Sequence, residues 1–209
     1  SSGPNSISAP LPKIHAYRGV VASMTSNTVT LTGSPGFSTD QFGPLEGFNQ
    51  YILMVRKDAS TDPGVEGDWW TVTSNTSGVL TLGVGVDDLT TLLGAGDHVE
   101  IRRMTSLQDL FGTGPTVVLN QDSDGTASAT DEDLVELLNG TSFLHEIFYH
   151  DGTLADPGYY VDGSPVSGAN ITLGPDEAFI VYRKTGSAST NATAIGQVQT
   201  KRFTHYLNP

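Results

Sequence analysis

The feature that most constrains this chain is alternation with a period near two. Residues 17–24 (Tyr-Arg-Gly-Val-Val-Ala-Ser-Met) lead through Thr25, Ser26, Asn27 and Thr28 into Val29-Thr30-Leu31-Thr32. β-Branched residues recur at every second position, and Asn27 supplies a turn residue that tolerates positive φ. In a pleated strand such a sequence sends one set of side chains to a core and the other to solvent. The phrase returns as Trp69-Trp70-Thr71-Val72-Thr73, a turn over residues 74–78, and Val79-Leu80-Thr81-Leu82. A fainter copy lies at residues 168–173 (Gly-Ala-Asn-Ile-Thr-Leu). The irregular spacing between copies marks recurring hairpins rather than solenoid units.

Further strands are expected at residues 50–56, 98–102, 116–119, 143–149, 178–183 and 194–200. Helices are expected to be few and short. Ser38-x-x-Gln41, closed by Gly43, has the form of a capping box. Residues 87–94 and 105–112 each place acids near a helix start or within it and a glycine at the end. Residues 131–138 read equally as helix or strand. Many short strands at close spacing predict an all-β fold, an antiparallel sandwich or distorted barrel with a few short helices. The helical signal at residues 105–112 suggests two lobes, 1–104 and 105–209, which could also form one continuous domain. The 24 glycines and 11 prolines have no strict period, which fits tight turns and excludes collagen-like order.

Charge and composition narrow the partners. Twenty-three acidic against 10 basic residues give a net charge of -13, and no basic cluster exceeds the pairs Arg102-Arg103 and Lys201-Arg202. Such a chain repels phosphate backbones and anionic membrane surfaces, so no nucleic-acid partner is expected. No apolar run approaches the ~18–20 residues of a membrane-spanning helix. The chain has no cysteine, which excludes thiolate metal sites, a cysteine nucleophile and disulfides. The opening Ser1-Ser2-Gly3-Pro4 is read as a mature N-terminus left by processing. Richness in Thr, Ser, Asn and Gly with few lysines points to an exported, extracellular or cell-surface protein.

The sharpest chemical motif is Asn120-x-Asp122-x-Asp124-Gly125-x5-Asp131. Oxygen ligands at positions 1, 3 and 5, glycine at 6 and a carboxylate at 12 follow a calcium-binding loop. The Ca²⁺ ligands would be Asn120, Asp122, Asp124 and Asp131, with the Thr126 carbonyl. The departures are Asn at position 1, the short Asp at position 12 and a strand-like entry, and a solvated acidic connection is the other reading. His145-Glu146-x-x-x-His150 spaces its histidines by five in a strand-like segment, where they point to opposite faces and hold no zinc. His15, His98 and His205 stand alone and are expected at the surface. No Gly-x-Ser-x-Gly occurs, and Leu82-Gly83-Val84-Gly85 lacks the third glycine of a phosphate loop. Paired carboxylates for glycoside cleavage are invisible in a linear sequence. Trp69-Trp70 sends one indole to each face of its strand, one to a core and one to an exposed or interface position. The sequons at Asn75, Asn139, Asn170 and Asn191 arise readily in so Thr-rich a chain.

One family shares this order of residues. It runs from Ser8-Ala9-Pro10-Leu11 through Tyr17-Arg18-Gly19-Val20-Val21, the hairpin at residues 27–31, Phe42, residues 51–55 and residues 67–73 to Asn75. It continues with Gly96-Asp97-His98-Val99-Glu100-Ile101-Arg102-Arg103, Leu107-Gln108-Asp109-Leu110-Phe111-Gly112, Phe143, Phe148-Tyr149, residues 175–179 and Arg183. Over nearly its whole length the chain resembles an uncharacterised family of secreted β-rich proteins found mainly in Verrucomicrobia. The resemblance implies export and surface residence, brings no catalytic residues, and shows a shortened N-terminal strand here.

Both termini are polar and are expected to gain order from neighbouring copies, as when a strand completes the sheet of the next subunit. Head-to-tail contacts of that kind do not close and give filaments. The leading expectation is therefore a non-enzymatic, self-assembling structural protein, a filament or surface-layer subunit whose partner is itself. Its contacts are expected in residues 1–11 and 202–209, at Ser6, Ile7, Leu11, Phe203, Tyr206 and Leu207, with Trp69 and Trp70. The alternative is a secreted carbohydrate-binding module that stacks polysaccharide on Trp69, Trp70 and Tyr159-Tyr160. A secreted hydrolase comes third.

Overall fold

A computed structural model of the protein describes residues 5–8, 15–59, 64–121, 132–139, 142–152, 156–175 and 178–183. Within them the chain is all-β, and it divides into two compact units. A barrel unit holds described residues 15–104, and a sheet unit holds residues 105–183 together with residues 5–8. The N-terminal strand β1 (Asn5–Ser8) thus belongs with the later unit although it precedes the barrel in the chain.

The barrel is built from β2 (His15–Met24), β3 (Thr28–Leu31), β4 (Tyr51–Lys57), β5 (Trp69–Asn75), β6 (Val79–Gly83) and β7 (His98–Arg103). They close in the order β2-β3-β6-β5-β4-β7, with β7 pairing back onto β2. The alternation predicted from sequence is what fills it: Val29, Leu31, Leu53, Val55, Trp70, Val72, Leu80, Leu82, Val99 and Ile101 form one buried core. Each fully buried Leu or Val contributes about 1.5–3 kcal/mol. The opposite pleats of β4 carry Ile52 and Met54, which join Met104 in a second small cluster with Trp69 packed against it. Helix α1 (Leu89–Leu92) starts where the Asp88 side chain accepts the Thr90 N–H.

The sheet unit is an open, antiparallel six-stranded sheet ordered β1-β14-β9-β10-β11-β12. Its strands are β9 (Leu134–Asn139), β10 (Ser142–His150), β11 (Gly158–Val161), β12 (Ser164–Val166) and β14 (Ala178–Tyr182), beside β1. The short strands β8 (Thr105–Ser106) and β13 (Thr172–Leu173) pair with each other and lead into helix α2 (Leu107–Phe111). Ser106 and Asp109 cap α2 reciprocally, and Gly112 ends it at φ +82°. Phe111 packs edge-on against Phe179, and the Tyr159 hydroxyl donates to the Gly112 carbonyl at 2.8 Å, so α2 is pinned to one face of the sheet.

Several sequence expectations are corrected here. The expected helix at residues 38–43 is a turn: the Ser38 N–H reaches Gln41 Oε1 at 3.1 Å, but Asp40 sits at φ +54° and stops propagation. Residues 116–119 are not a strand, because Pro115 starts a 3-10 turn (Gly114–Thr116) and no partner strand pairs with the segment among the described residues. Residues 168–173 form no hairpin, since only Thr172 and Leu173 pair, and they pair with β8. Residues 131–138, which read equally as helix or strand, are strand from Leu134 onward, in β9.

Candidate functional site

A closed barrel has no unpaired edge, so among the described strands the edges available for strand addition lie on the open sheet and on the two-residue strands β8 and β13, of which the open sheet offers the longer ones. Its two ends differ. β12 is three residues long, with Pro165 in its centre, and proline removes a donor from the ladder. The end at β14 carries Ala-Phe-Ile-Val-Tyr, and it is covered by β1 in the register Asn5↔Val181, Ser6↔Ile180, Ile7↔Phe179 and Ser8↔Ala178. Phe179 and Val181 are buried, while Ile180 and Tyr182 lie on the other face and are half-buried. On its far side β14 pairs with β9 from Phe179↔Leu137 to Tyr182↔Leu134. The site is an apolar strand that takes an N-terminal four-residue segment as its last neighbour.

Among the expected interface residues, Ser6 and Ile7 lie in β1 on this edge. Leu11, Phe203, Tyr206 and Leu207 lie outside the described residues. Trp70 is corrected: it is buried in the barrel core, where its Nε1 donates to Asp87 Oδ2 at 3.0 Å, and it offers no surface to a partner. Trp69 is half-buried. Tyr159 is also closed off, its hydroxyl bonded to Gly112 and its pKa driven upward by burial and then by Tyr149. Tyr160 remains half-buried, stacked on Phe148 at 5.5 Å. Trp69 and Tyr160 belong to different units.

Of the calcium-loop residues only Asn120 is described, and Asp122, Asp124, Thr126 and Asp131 lie outside. Asn120 is held by Asp133: its N–H and Nδ2 donate to the two carboxylate oxygens at 2.8 and 2.9 Å, and its carbonyl accepts the Asp133 N–H. Arg183 reaches the same carboxylate at 3.1 Å. These contacts tie the two ends of the acidic segment to β14's exit. His145 and His150 are engaged separately, His145 Nδ1 lying 2.8 Å from Asp162 Oδ2 and His150 Nδ1 accepting the Gly152 N–H. The Glu146 N–H and His145 hold the Asp162 carboxyl below the ordinary carboxylate range. Among the described residues no group of three or more His, Asp or Glu is placed to hold a metal ion.

Two arrangements go beyond the linear reading, the first set by tertiary pairing alone and the second carried by a local signal. Pleating and register gather Arg18, Arg56 and Arg102 from three strands around Glu100, whose side chain is 3% exposed; Arg102 Nε donates to it at 2.7 Å and Arg18 Nε at 2.8 Å. Burial would push the Glu100 carboxyl up, but the Arg102 bond and the three positive charges hold it below its ordinary value. The second is the β11–β12 hairpin, whose Asp162 and Gly163 stand at φ +49° and +80°. Asp-Gly between two strands is the standard signal for such a turn, and it was legible in Val161-Asp162-Gly163-Ser164. No family model, curated protein or solved structure matches this chain.

Proposed function

We propose that the protein is an extracellular, self-assembling structural subunit whose copies are linked by exchange of β1 into the β14 edge of the next copy. The observation that supports this reading most is the pairing of an N-terminal strand with the last described strand of the sheet, across the entire barrel in sequence. A strand so remote from its sheet contributes the same four ladder positions whether it comes from its own chain or another. Taken from its own chain, it closes the sheet within one copy, and the cost of that closure rises only slowly with loop length. Taken from a neighbour, it links copies head to tail, and such contacts extend into filaments. The barrel, with its edges consumed, acts as an inert body between links. The acidic, lysine-poor surface keeps such copies soluble and away from nucleic acid.

The test is electron microscopy of the full chain and of a variant lacking Ser1–Leu11, over a range of protein concentrations. Filaments or sheets that disappear on truncation are expected. Monodisperse particles at every concentration from the full chain would contradict the reading.

A further inference from the structure

A single row of directly opposed residues crosses the sheet: Ser6↔Ile180, Ile180↔Glu136 and Glu136↔Glu146. It places two carboxylates face to face on neighbouring antiparallel strands, where Cβ atoms stand about 4.5–5.5 Å apart. Nothing positive offsets them among the described residues. From β14 the group that reaches Glu136 is the Tyr182 phenol, which bonds its carboxylate. From β10 it is Glu146 itself, and from the β11–β12 turn Asp162, which accepts the Glu146 N–H and is engaged with His145. Arg183, which follows Tyr182 in the chain, reaches Asp133. One Glu136 oxygen, Oε2, is buried with no hydrogen-bond partner. A like-charged, partly desolvated pair is the arrangement that one proton relieves, because the neutral acid removes both the repulsion and the cost of burying a charge.

We infer that Glu136, directly opposite Glu146 in the ladder, takes up a proton in mild acid and that this uptake tightens the β9–β10 pairing, making the sheet unit an acid-stabilised element. The direction follows from burial of the Glu136 carboxyl and from the Glu146 charge, which together raise its proton affinity in the fold against the opposing Tyr182 bond. A group whose pKa is raised by folding contributes its full stability below the unfolded value and loses it as pH rises through the folded one. The ladder should therefore be tightest below pH 4.5, the ordinary glutamate value, and loosen toward neutrality.

Two measurements on the full chain test this. The first is a carboxyl-carbon NMR titration of the wild type. The second is amide hydrogen exchange, corrected for intrinsic rates, for wild type and Glu136→Gln between about pH 4 and pH 8. Glu136 is expected to titrate above its ordinary value. Protection of the β9 and β10 amides in the wild type is expected to fall about two- to five-fold as it loses its proton, the size of a direct like-charge cross-strand repulsion. The Gln variant should hold the acid-level protection throughout. Titration of Glu136 at or below 4.5, or a wild-type profile as flat as the variant's, would overturn the inference. The wild-type titration decides the matter even where the variant folds poorly.

Discussion

At the scale of single residues, the barrel is governed by groups whose partners come from elsewhere in the chain. Arg102 is 1% exposed on its side chain and depends on Glu100 for compensation. Glu100→Gln removes the carboxylate charge from beside that buried guanidinium and should cost about 3–5 kcal/mol. Arg18→Ala and Arg56→Ala, at 59% and 40% exposure, should each cost less than about 1 kcal/mol. The Glu100 carboxyl is lowered, so its contribution is present above the ordinary 4.5 and is lost as pH falls through the lower folded value. Both tryptophans of the chain stand in the barrel, so denaturant unfolding followed by Trp fluorescence reads this loss directly. Asn75 is a second such residue. It accepts the Phe42 N–H at 2.8 Å and donates to the carbonyls of Ser38 and Thr76, clamping residues 38–42 against the barrel. Asn75→Ala should lose about 1–3 kcal/mol by the same assay. Asn75 reads in sequence as a glycosylation sequon; its burial closes it to a transferase. Glu100-x-Arg102 could be read as a same-face pair from the period of two. The arrival of Arg18 and Arg56 could not, because cross-strand register is set by tertiary pairing.

At the scale of elements, patterning and turn chemistry carried most of the information. The hairpins at β2–β3 and β5–β6 and the places of α1 and α2 were readable because alternation, Asn or Gly turns, and acids with a closing glycine are local signals. Residues 38–43 misled for a physical reason: a capping box is half of a helix start, and a left-handed Asp40 outvotes it. Residues 116–119 misled because a β-branched run makes a strand only where a neighbouring strand is free to pair with it. Gly112 marks a position where the local rule is strict. A Cβ there would stand 2.5 Å from the Thr116 carbonyl oxygen, and the backbone is left-handed. Gly112→Ala should cost about 1–3 kcal/mol and loosen α2 first. Hydrogen exchange in residues 107–112 would register that before the barrel responds.

At the scale of the whole molecule, the two units differ in how they treat their strand edges and in how they respond to acid. The barrel closes on itself and weakens as Glu100 gains a proton, whereas the sheet stays open and tightens as Glu136 does. The open sheet guards one end with the three-residue β12 and Pro165, and at the other it relies on β1. None of this asymmetry was visible in sequence. The N-terminal residues, Ser6 and Ile7 among them, can be singled out in sequence for pairing with another strand, but nothing local names β14 as the partner of Asn5–Ser8. Whether that partner is its own β14 or a neighbour's is the central question. Because the chain has no cysteine, one paired substitution answers it without background: Ser6→Cys with Ile180→Cys. These positions are directly opposed, and antiparallel partners lie within the Cα separation a disulfide spans. The measurement is non-reducing electrophoresis of this variant after mild oxidation across a range of protein concentrations. Strand exchange predicts a ladder of disulfide-linked multimers that lengthens with concentration, and internally bridged monomers alone at every concentration would contradict it.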